Sequence, residues 1–377
     1  MQGLSNMFTC SGEFSGNIDE LILHLNYEKQ KKSFFLQIVK ESDADNPLND
    51  MILAQFENVV KPSNTSSKES TFTNSIISLY GYLESYLEKL AEEFITKINE
   101  ANIPKSALPP AIRGRHLELS MSYLQRVARY KLKEGADKLD CEKEVIAGLY
   151  SFLQEEEESY TLNSKAFSAH TNFNYDSIQN FFAQVGIEKI TDRVIGFESV
   201  TDQLALRQQQ EPTEDNTVHK GWLESELRDL AQLRNEIAHG AFEGPYDSTE
   251  LIIERAEFLK SFGLAIAEIL HRTFDEIVFN CKDRNTLGKP KHAFAEHNCF
   301  GFLGRALDGT EERFTIKAGD EIFAKNQTSL ISGYIDSLML DRNPVDEVQF
   351  PSELDIGIKV NFDVTSSMTR REISVIR

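Results

Sequence analysis

The spacing of apolar residues changes near residue 280, and this change constrains the fold more than any other feature of the sequence. Upstream, apolar residues recur every three or four positions, as in "IISLYGYLESYLEKLAEEFITKI". Downstream, short runs such as "RFTIKAGDEIFA" and "LDIGIKVNFDV" alternate apolar and polar residues between Gly and Asp turns. The first spacing is typical of amphipathic helices and the second of half-buried strands. The sequence therefore predicts a multi-domain α + β protein, in which an all-α helical bundle precedes a small closed β-barrel.

Three regions follow from this pattern. Residues 1–65 have no clear assignment, and the mixed periodicity of 17–41 is compatible with a helix that runs into a strand. Residues 66–280 are predicted to form a bundle of five or more helices, and 285–377 are predicted to form the barrel. The polar segment "KPSNTSSKES" at 61–70 is predicted to be a flexible boundary between the first two regions.

Charge and composition limit the functional classes. The 377 residues include 40 Lys and Arg against 60 Asp and Glu, which gives a net charge of -20. Such a chain repels phosphates at long range, so contact with RNA requires a local basic patch or a partner. The sequence has no apolar run long enough to span a membrane, no visible secretory signal and no C-x-x-C pair among its four cysteines. We therefore expect a cytoplasmic protein with reduced thiols and no membrane association.

The segment "LRNEIAHG" at residues 233–240 interrupts the apolar stripe of a predicted helix. The three preceding positions of the stripe are leucines, whereas the next is Arg234. A buried guanidinium is costly unless it is paired or faces a polar cavity. Asn235 and His239 are four residues apart and therefore lie on one face of a helix, with Arg234 beside them. An imidazole, a guanidinium and an amide suffice for a metal-free attack on a phosphodiester, because they can move protons, stabilise charge and orient a phosphate.

This segment resembles the Arg-x4-6-His signature of HEPN-domain ribonucleases in its Arg-Asn form. The resemblance covers roughly residues 70–280 and implies a helical bundle with the motif on a late helix. It implies catalytic roles for Arg234, Asn235 and His239. It also implies a supporting role for Glu84, the best match to an acidic residue that family members often carry on an early helix.

The same resemblance implies metal-free RNA cleavage with no cofactor, a homodimer in which two motifs share one cleft, and a role as a toxin or defence effector. One subfamily has a tyrosine two residues after the histidine and is paired with a nucleotidyltransferase antitoxin. Ala241 occupies that position here, which argues against this subtype. Two other interpretations stay open: a structural ion pair between Arg234 and Glu84 with His239 as a partner of the helix C-terminus, or a HEPN module that binds nucleotide or protein partners without catalysis.

Two further groups of residues are candidates for binding sites. The most basic window of the chain could guide an RNA backbone, or it could be a solvated helix face; its residues are Arg113, Arg115, Arg126, Arg129, Lys131 and Lys133. A second group has the atom types of a zinc site but lacks the usual ligand spacing, so we expect no metal there; its members are Cys281, His292, His297 and Cys299.

The C-terminal region resembles domain two of elongation factor Tu and related translation factors. The similarity rests on "IKAGDEIFA", "GYIDSLMLDRNPVDEV" and "LDIGIKVNFDV". It implies contact with a translation-related RNA such as tRNA. The basic and acidic residues of this region nearly balance, so it need not bind RNA, and a recognition barrel for a protein partner or trigger stays open as the alternative.

Overall fold

The computed structural model describes residues 8–41, 61–129, 136–154, 156–157, 159–168, 172–211, 213, 215–306, 313–327 and 329–376. Ten α-helices come first in this part of the chain: α1 (Thr9–Glu41), α2 (Lys61–Glu100), α3 (Pro110–Arg129), α4 (Ala136–Leu153), α5 (Ser164–Ser168), α6 (Tyr175–Ala183), α7 (Ile190–Val194), α8 (Glu198–Arg207), α9 (Asn216–Ala238) and α10 (Thr249–Cys281). Ten strands follow: β1 (Arg284–Gly288), β2 (His292–Phe294), β3 (Cys299–Phe302), β4 (Phe314–Lys317), β5 (Glu321–Lys325), β6 (Leu330–Leu340), β7 (Asn343–Val345), β8 (Glu347–Phe350), β9 (Ile356–Val360) and β10 (Glu372–Ile376). The order of helices and strands confirms the predicted α + β class.

The chain divides into two compact units. The helical unit comprises Met1–Lys97, Pro109–Leu153 and Thr161–Ile269, and the sheet unit comprises Ile98–Leu108, Gln154–Tyr160 and Leu270–Arg377. None of the described helices is long and apolar enough to cross a membrane.

The structure assigns two N-terminal stretches of the helical unit. Residues 17–41, for which the sequence pattern provides no clear assignment, lie entirely within α1 and are helical throughout. Residues 1–7 and 42–60 lie outside the described part of the chain. The segment 61–70, predicted to be flexible, is the start of α2. Residues 66–70, whose side chains the structure describes, are all exposed on the helix surface, which fits their polar composition.

Helices α1, α2 and α10 pack closely around Gly263. Phe14 of α1 stacks on Tyr86 of α2 with ring centroids 4.2 Å apart. The Tyr86 hydroxyl donates to the carbonyl of Gly263, 3.1 Å away. A Cβ at position 263 would lie 2.5 Å from Phe14 and 2.9 Å from Tyr86, so only glycine permits this approach.

A buried histidine organises the contact between α3, α4 and residue 163. His116 is fully buried, and its Nε2 accepts the N–H of Asn163 at 3.0 Å. The Asn163 amide donates to Ser120 Oγ at 2.8 Å and to the carbonyl of Val145 at 3.1 Å. A Cβ at Gly148 would lie 2.3 Å from Asn163 Oδ1, so the amide occupies the space of a side chain there. Burial lowers the pKa of His116 to about 4, and the junction therefore contains a neutral imidazole.

The sheet unit is an open antiparallel sheet with the strand order β1-β10-β5-β6-β9-β3-β2, in which β7 adds to β6 and β4 pairs with β8 separately. Its core is formed by the inward residues of the predicted alternation, including Phe300, Ile316, Ile322, Ile358 and Ile373. The predicted closure into a barrel is wrong, because β1 and β2 do not pair with each other among the described strands. Alternation specifies which face of a strand is buried, but it does not specify whether the two edge strands meet.

Candidate functional site

Helix α9 carries the segment singled out by the sequence, and its burial changes along its length. The helix begins at an N-cap, since Asp215 Oδ1 accepts the N–H of Thr217 at 2.8 Å. Its three stripe leucines, Leu223, Leu227 and Leu230, are buried. Beyond them Arg234 is half-buried and His239 is exposed. The arginine in the apolar stripe therefore lies where the helix reaches the surface.

The last turn of α9 fixes the position of His239. The N–H of Gly240 donates to the carbonyl of Ile237 at 3.1 Å, and the N–H of Ala241 donates to that of Glu236 at 2.8 Å. Gly240 has a φ of +66°, in the left-handed region that favours glycine. This is the Schellman arrangement of a helix C-terminus, with His239 as the C-cap residue. The imidazole is thus attached to a defined backbone while its side chain faces solvent.

Arg234 is held by uncharged groups. Its Nη1 donates to Asn235 Oδ1 at 3.0 Å, and its Cζ lies 4.9 Å from the ring centroid of Tyr80 on α2. Tyr80 is buried, and its hydroxyl donates to the carbonyl of Phe173 at 3.1 Å. In the described part of the chain, Arg234 forms no ion pair with Glu84 or with another carboxylate within 4.0 Å, and its contacts are with Asn235 and Tyr80.

Glu84 lies one turn beyond Tyr80 on α2. Burial raises the pKa of Tyr80, and the carboxylate of Glu84 raises it further, which places that negative charge near the same ring. The site thus brings together Arg234, Asn235, His239 and Tyr80 at one end of α9. Sequence reasoning missed Tyr80, because its place in the apolar stripe of α2 indicated core packing alone. A tyrosine on that stripe, opposite an arginine on the stripe of another helix, is the signal that could have identified the contact.

The basic window does not form one continuous face over its described residues. Arg113 is exposed, Arg115 pairs with Glu118 at 3.5 Å, and Arg126 lies 5.9 Å from the ring of Tyr123. On a helix with 3.6 residues per turn, Arg113 and Arg115 point in roughly opposite directions. The side chain of Arg129, and Lys131 and Lys133 entirely, lie outside the described residues.

A buried charge cluster that the sequence did not reveal joins α8, α9 and α10. Arg207 Nη2 lies 2.7 Å from Glu226 Oε2, and Gln208 Nε2 donates to Glu226 Oε1 at 3.2 Å. Arg255 Nη2 lies 3.9 Å from Glu226 and 4.0 Å from Asp247. Burial, and then the charge of Arg207, lower the pKa of Arg255. This cluster anchors the middle of α9, two turns before Arg234.

The described residues contain no group of three or more His, Cys, Asp or Glu side chains placed to hold a metal ion. The four zinc candidates are distributed over separate elements: Cys281 ends α10, His292 lies in β2, His297 lies in a 3-10 turn and Cys299 begins β3. The thiols of Cys281 and Cys299 are half-buried, and burial raises the pKa of each.

Comparisons with known proteins place the helical segment in a family. A family model described as RiboL-PSP-HEPN matches residues 48–272, which is more than half of the chain. The matched span includes α2 to α9 and therefore the whole of the Arg234–His239 segment. No curated protein matches the chain.

Proposed function

Because the chain belongs to the RiboL-PSP-HEPN family, we propose that it is a metal-independent endoribonuclease whose active centre consists of Arg234, Asn235 and His239. One observation carries this proposal. An exposed imidazole ends α9 one turn from Asn235, beside a guanidinium that has no carboxylate within 4.0 Å among the described residues. An arginine held in a buried ion pair would favour a structural role. Arg234 instead contacts a neutral amide and an aromatic ring.

The proposed reaction is a transesterification. His239 accepts the proton of a ribose 2'-OH, and O2' attacks the adjacent phosphorus. The bond from phosphorus to O5' breaks, which leaves a 2',3'-cyclic phosphate and a 5'-OH. Arg234 stabilises the negative charge that develops on the non-bridging oxygens, and Asn235 orients one of them. DNA has no 2'-OH and is not a substrate.

A second proton carrier is needed to protonate the leaving O5'. One protomer offers a single histidine of this kind, so we propose a homodimer in which His239 of the partner subunit supplies the proton. The two α9 ends then face one cleft. Light scattering tests this arrangement, because an active strict monomer would contradict it.

Recognition of the RNA needs more than the active centre. A chain with a net charge of -20 attracts no random RNA at long range. We assign recognition of a translation-related RNA such as tRNA, or of a protein trigger, to the sheet unit, and we place the protein among toxins or defence effectors of the cytoplasm. Selective cleavage in cells, mapped by sequencing RNA ends, would identify the target.

The decisive experiment combines RNA end chemistry with a matched histidine control. Wild type in EDTA is expected to leave 2',3'-cyclic phosphate ends, and His239→Ala is expected to stay folded and cut nothing. His24→Ala, which removes an exposed histidine of α1, is expected to cut like wild type. Equal cleavage by wild type and His239→Ala, or full inhibition by EDTA, would contradict the proposal. RNA that is bound and never cut would instead indicate a non-catalytic binding module.

A further inference from the structure

The loop that follows His239 carries two aromatic side chains on a buried third ring. Phe242 stacks on Phe72 of α2 with centroids 5.2 Å apart and an interplanar angle of 29°. Tyr246 meets Phe72 edge-on at 5.7 Å and lies 5.8 Å from Phe242. Phe72 is 1% exposed, whereas Tyr246 is 36% exposed. The aromatic pair therefore presents ring surface to solvent on a rigid base.

Contacts with α2 and within the loop restrain both rings. Partial burial and then the carboxylate of Glu69, one turn before Phe72 on α2, raise the pKa of Tyr246, which places that carboxylate near the tyrosine. The Phe242 ring lies over Gly244, where a Cβ would be 3.1 Å from its edge. Side chains that are ordered before a ligand arrives lose little entropy on binding, which favours a binding role over a purely solvated loop.

Helix α2 contacts both this aromatic pair and the candidate active centre, and the distance between them can be measured along it. Arg234 lies over Tyr80, and the aromatic pair lies over Phe72, eight residues earlier on the same helix. At 1.5 Å per residue, the two contacts are separated by about 12 Å along α2. His239, with its exposed side chain, lies between Arg234 and Phe242 in the chain.

The aromatic rings and negative charges of the loop favour binding of a flat uncharged ring over binding of a phosphate. The loop's neighbouring charges include the carboxylates of Glu69 near Tyr246 and of the exposed Glu243 beside Phe242, whereas Asp247, which follows Tyr246, lies 4.0 Å from Arg255. Carboxylates repel phosphate. An aromatic face can stack on any nucleobase, and each such stack stabilises binding by about 1–3 kcal/mol. We infer that Phe242 and Tyr246 form a stacking subsite for an unpaired nucleobase next to the scissile phosphate, an inference that rests on the proposed function. A base inside a duplex is already stacked and cannot enter.

Binding to uncleavable RNA tests this subsite without relying on catalysis. The probe is a 2'-O-methyl oligonucleotide that contains 2-aminopurine, bound to the full chain and followed by anisotropy and by fluorescence quenching. Wild type and Tyr246→Phe are expected to bind and to quench, since both keep the ring. Tyr246→Leu keeps an apolar side chain against Phe72 but removes the ring, so it is expected to bind about 5- to 150-fold more weakly and to quench less. Tyr27→Ala, at an exposed tyrosine of α1, serves as the matched control and is expected to behave like wild type.

The outcomes separate the subsite from the nuclease. If wild type and Tyr246→Leu bind and quench equally, while RNA is still cut in a manner that depends on His239, the subsite is wrong and the ribonuclease stands. If wild type neither binds the probe nor cuts RNA, both are wrong. Equal affinity of wild type for duplex and single-stranded probes would also overturn the subsite, because a duplex offers no free base.

Discussion

The middle and the C-terminal end of α9 hold positive charge in opposite ways. In the middle, the buried carboxylate of Glu226 is shared by Arg207 at 2.7 Å and Arg255 at 3.9 Å. At the end, Arg234 lies over the ring of Tyr80 and donates to the neutral amide of Asn235. A carboxylate neutralises a guanidinium, whereas a ring and an amide hold it without neutralising it. Ion pairing thus anchors this helix in one region, and its absence leaves a charge free to meet an anion in the other.

Removal of the buried carboxylate is the largest change expected. Glu226→Ala leaves the buried Arg207 without its carboxylate and leaves the buried Arg255 with only Asp247 at 4.0 Å, which is expected to lower the free energy of unfolding by about 3–5 kcal/mol. Urea titration measures this loss. Glu224→Ala is the control, because Glu224 pairs with Arg228 at the surface and is expected to change stability by less than about 1 kcal/mol. Similar small losses in both variants would mean that the cluster does not anchor α9.

The opposite behaviour is expected at the end of α9. Arg234→Ala is expected to slow RNA cleavage by about 10²–10³-fold, as for the loss of one group that stabilises a transition-state charge. Its effect on unfolding is expected to stay below about 1 kcal/mol, since Arg234 has no ion pair among the described residues. Single-turnover kinetics and urea titration, done on the same preparation, test both parts. If Arg234→Ala loses as much stability as Glu226→Ala while its cleavage rate is unchanged, Arg234 has a structural role and not a catalytic one.

A buried and an exposed histidine differ as the middle and the end of α9 do. His116 is buried and neutral with a pKa of about 4, whereas His239 is exposed. In the unfolded chain a histidine binds a proton near pH 6.5, so acidification favours unfolding. The stability that His116 contributes is complete above about pH 6.5 and is expected to fall by about 3 kcal/mol as the pH drops to about 4.

Carboxylates also titrate in this pH range. The contribution of His116 is therefore obtained from the difference between wild type and a variant that lacks this histidine. The measurement is the free energy of unfolding against pH for wild type and for His116→Gln. Between pH 6.5 and 4, the free energy of unfolding of wild type is expected to fall more steeply than that of His116→Gln, by a slope equivalent to up to one bound proton. Parallel curves for wild type and His116→Gln would show that the buried imidazole does not carry this dependence.

The smallest effect is expected at the glycine that ends α9. Gly240→Ala forces a Cβ into a backbone with a φ of +66° and is expected to lower the free energy of unfolding by about 1 kcal/mol. It also disturbs the backbone of His239, so cleavage is expected to fall. Gly81→Ala, inside α2 where a Cβ meets nothing within 4 Å, is expected to stabilise the protein by up to about 1 kcal/mol. If Gly240→Ala and Gly81→Ala both raise or both lower the melting temperature, the assignment of the helix end is contradicted.

Local pattern explains what could be predicted from the sequence. Spacing of three and four residues predicted the helices, alternation predicted the strands, and a separation of four residues brought Asn235 and His239 to one face. Contacts through space explain what was missed. Closure of the sheet depends on whether β1 and β2 meet, and Tyr80 gains its role only because α9 crosses it. Glu226 lies next to the apolar stripe of α9, and the sequence carries no sign that arginines of α8 and α10 enclose it.

The overlap between Asn163 and the space beside Gly148 has a consequence for the evolution of this chain. Any larger residue at 148 must displace the Asn163 amide, which would then lose its bond to Ser120 and weaken its backbone contact with His116. Substitution at one position is therefore expected to require substitution at the other. Among relatives, a side chain at 148 should occur only together with a different residue at 163, and such correlated substitution would locate this junction from sequences alone.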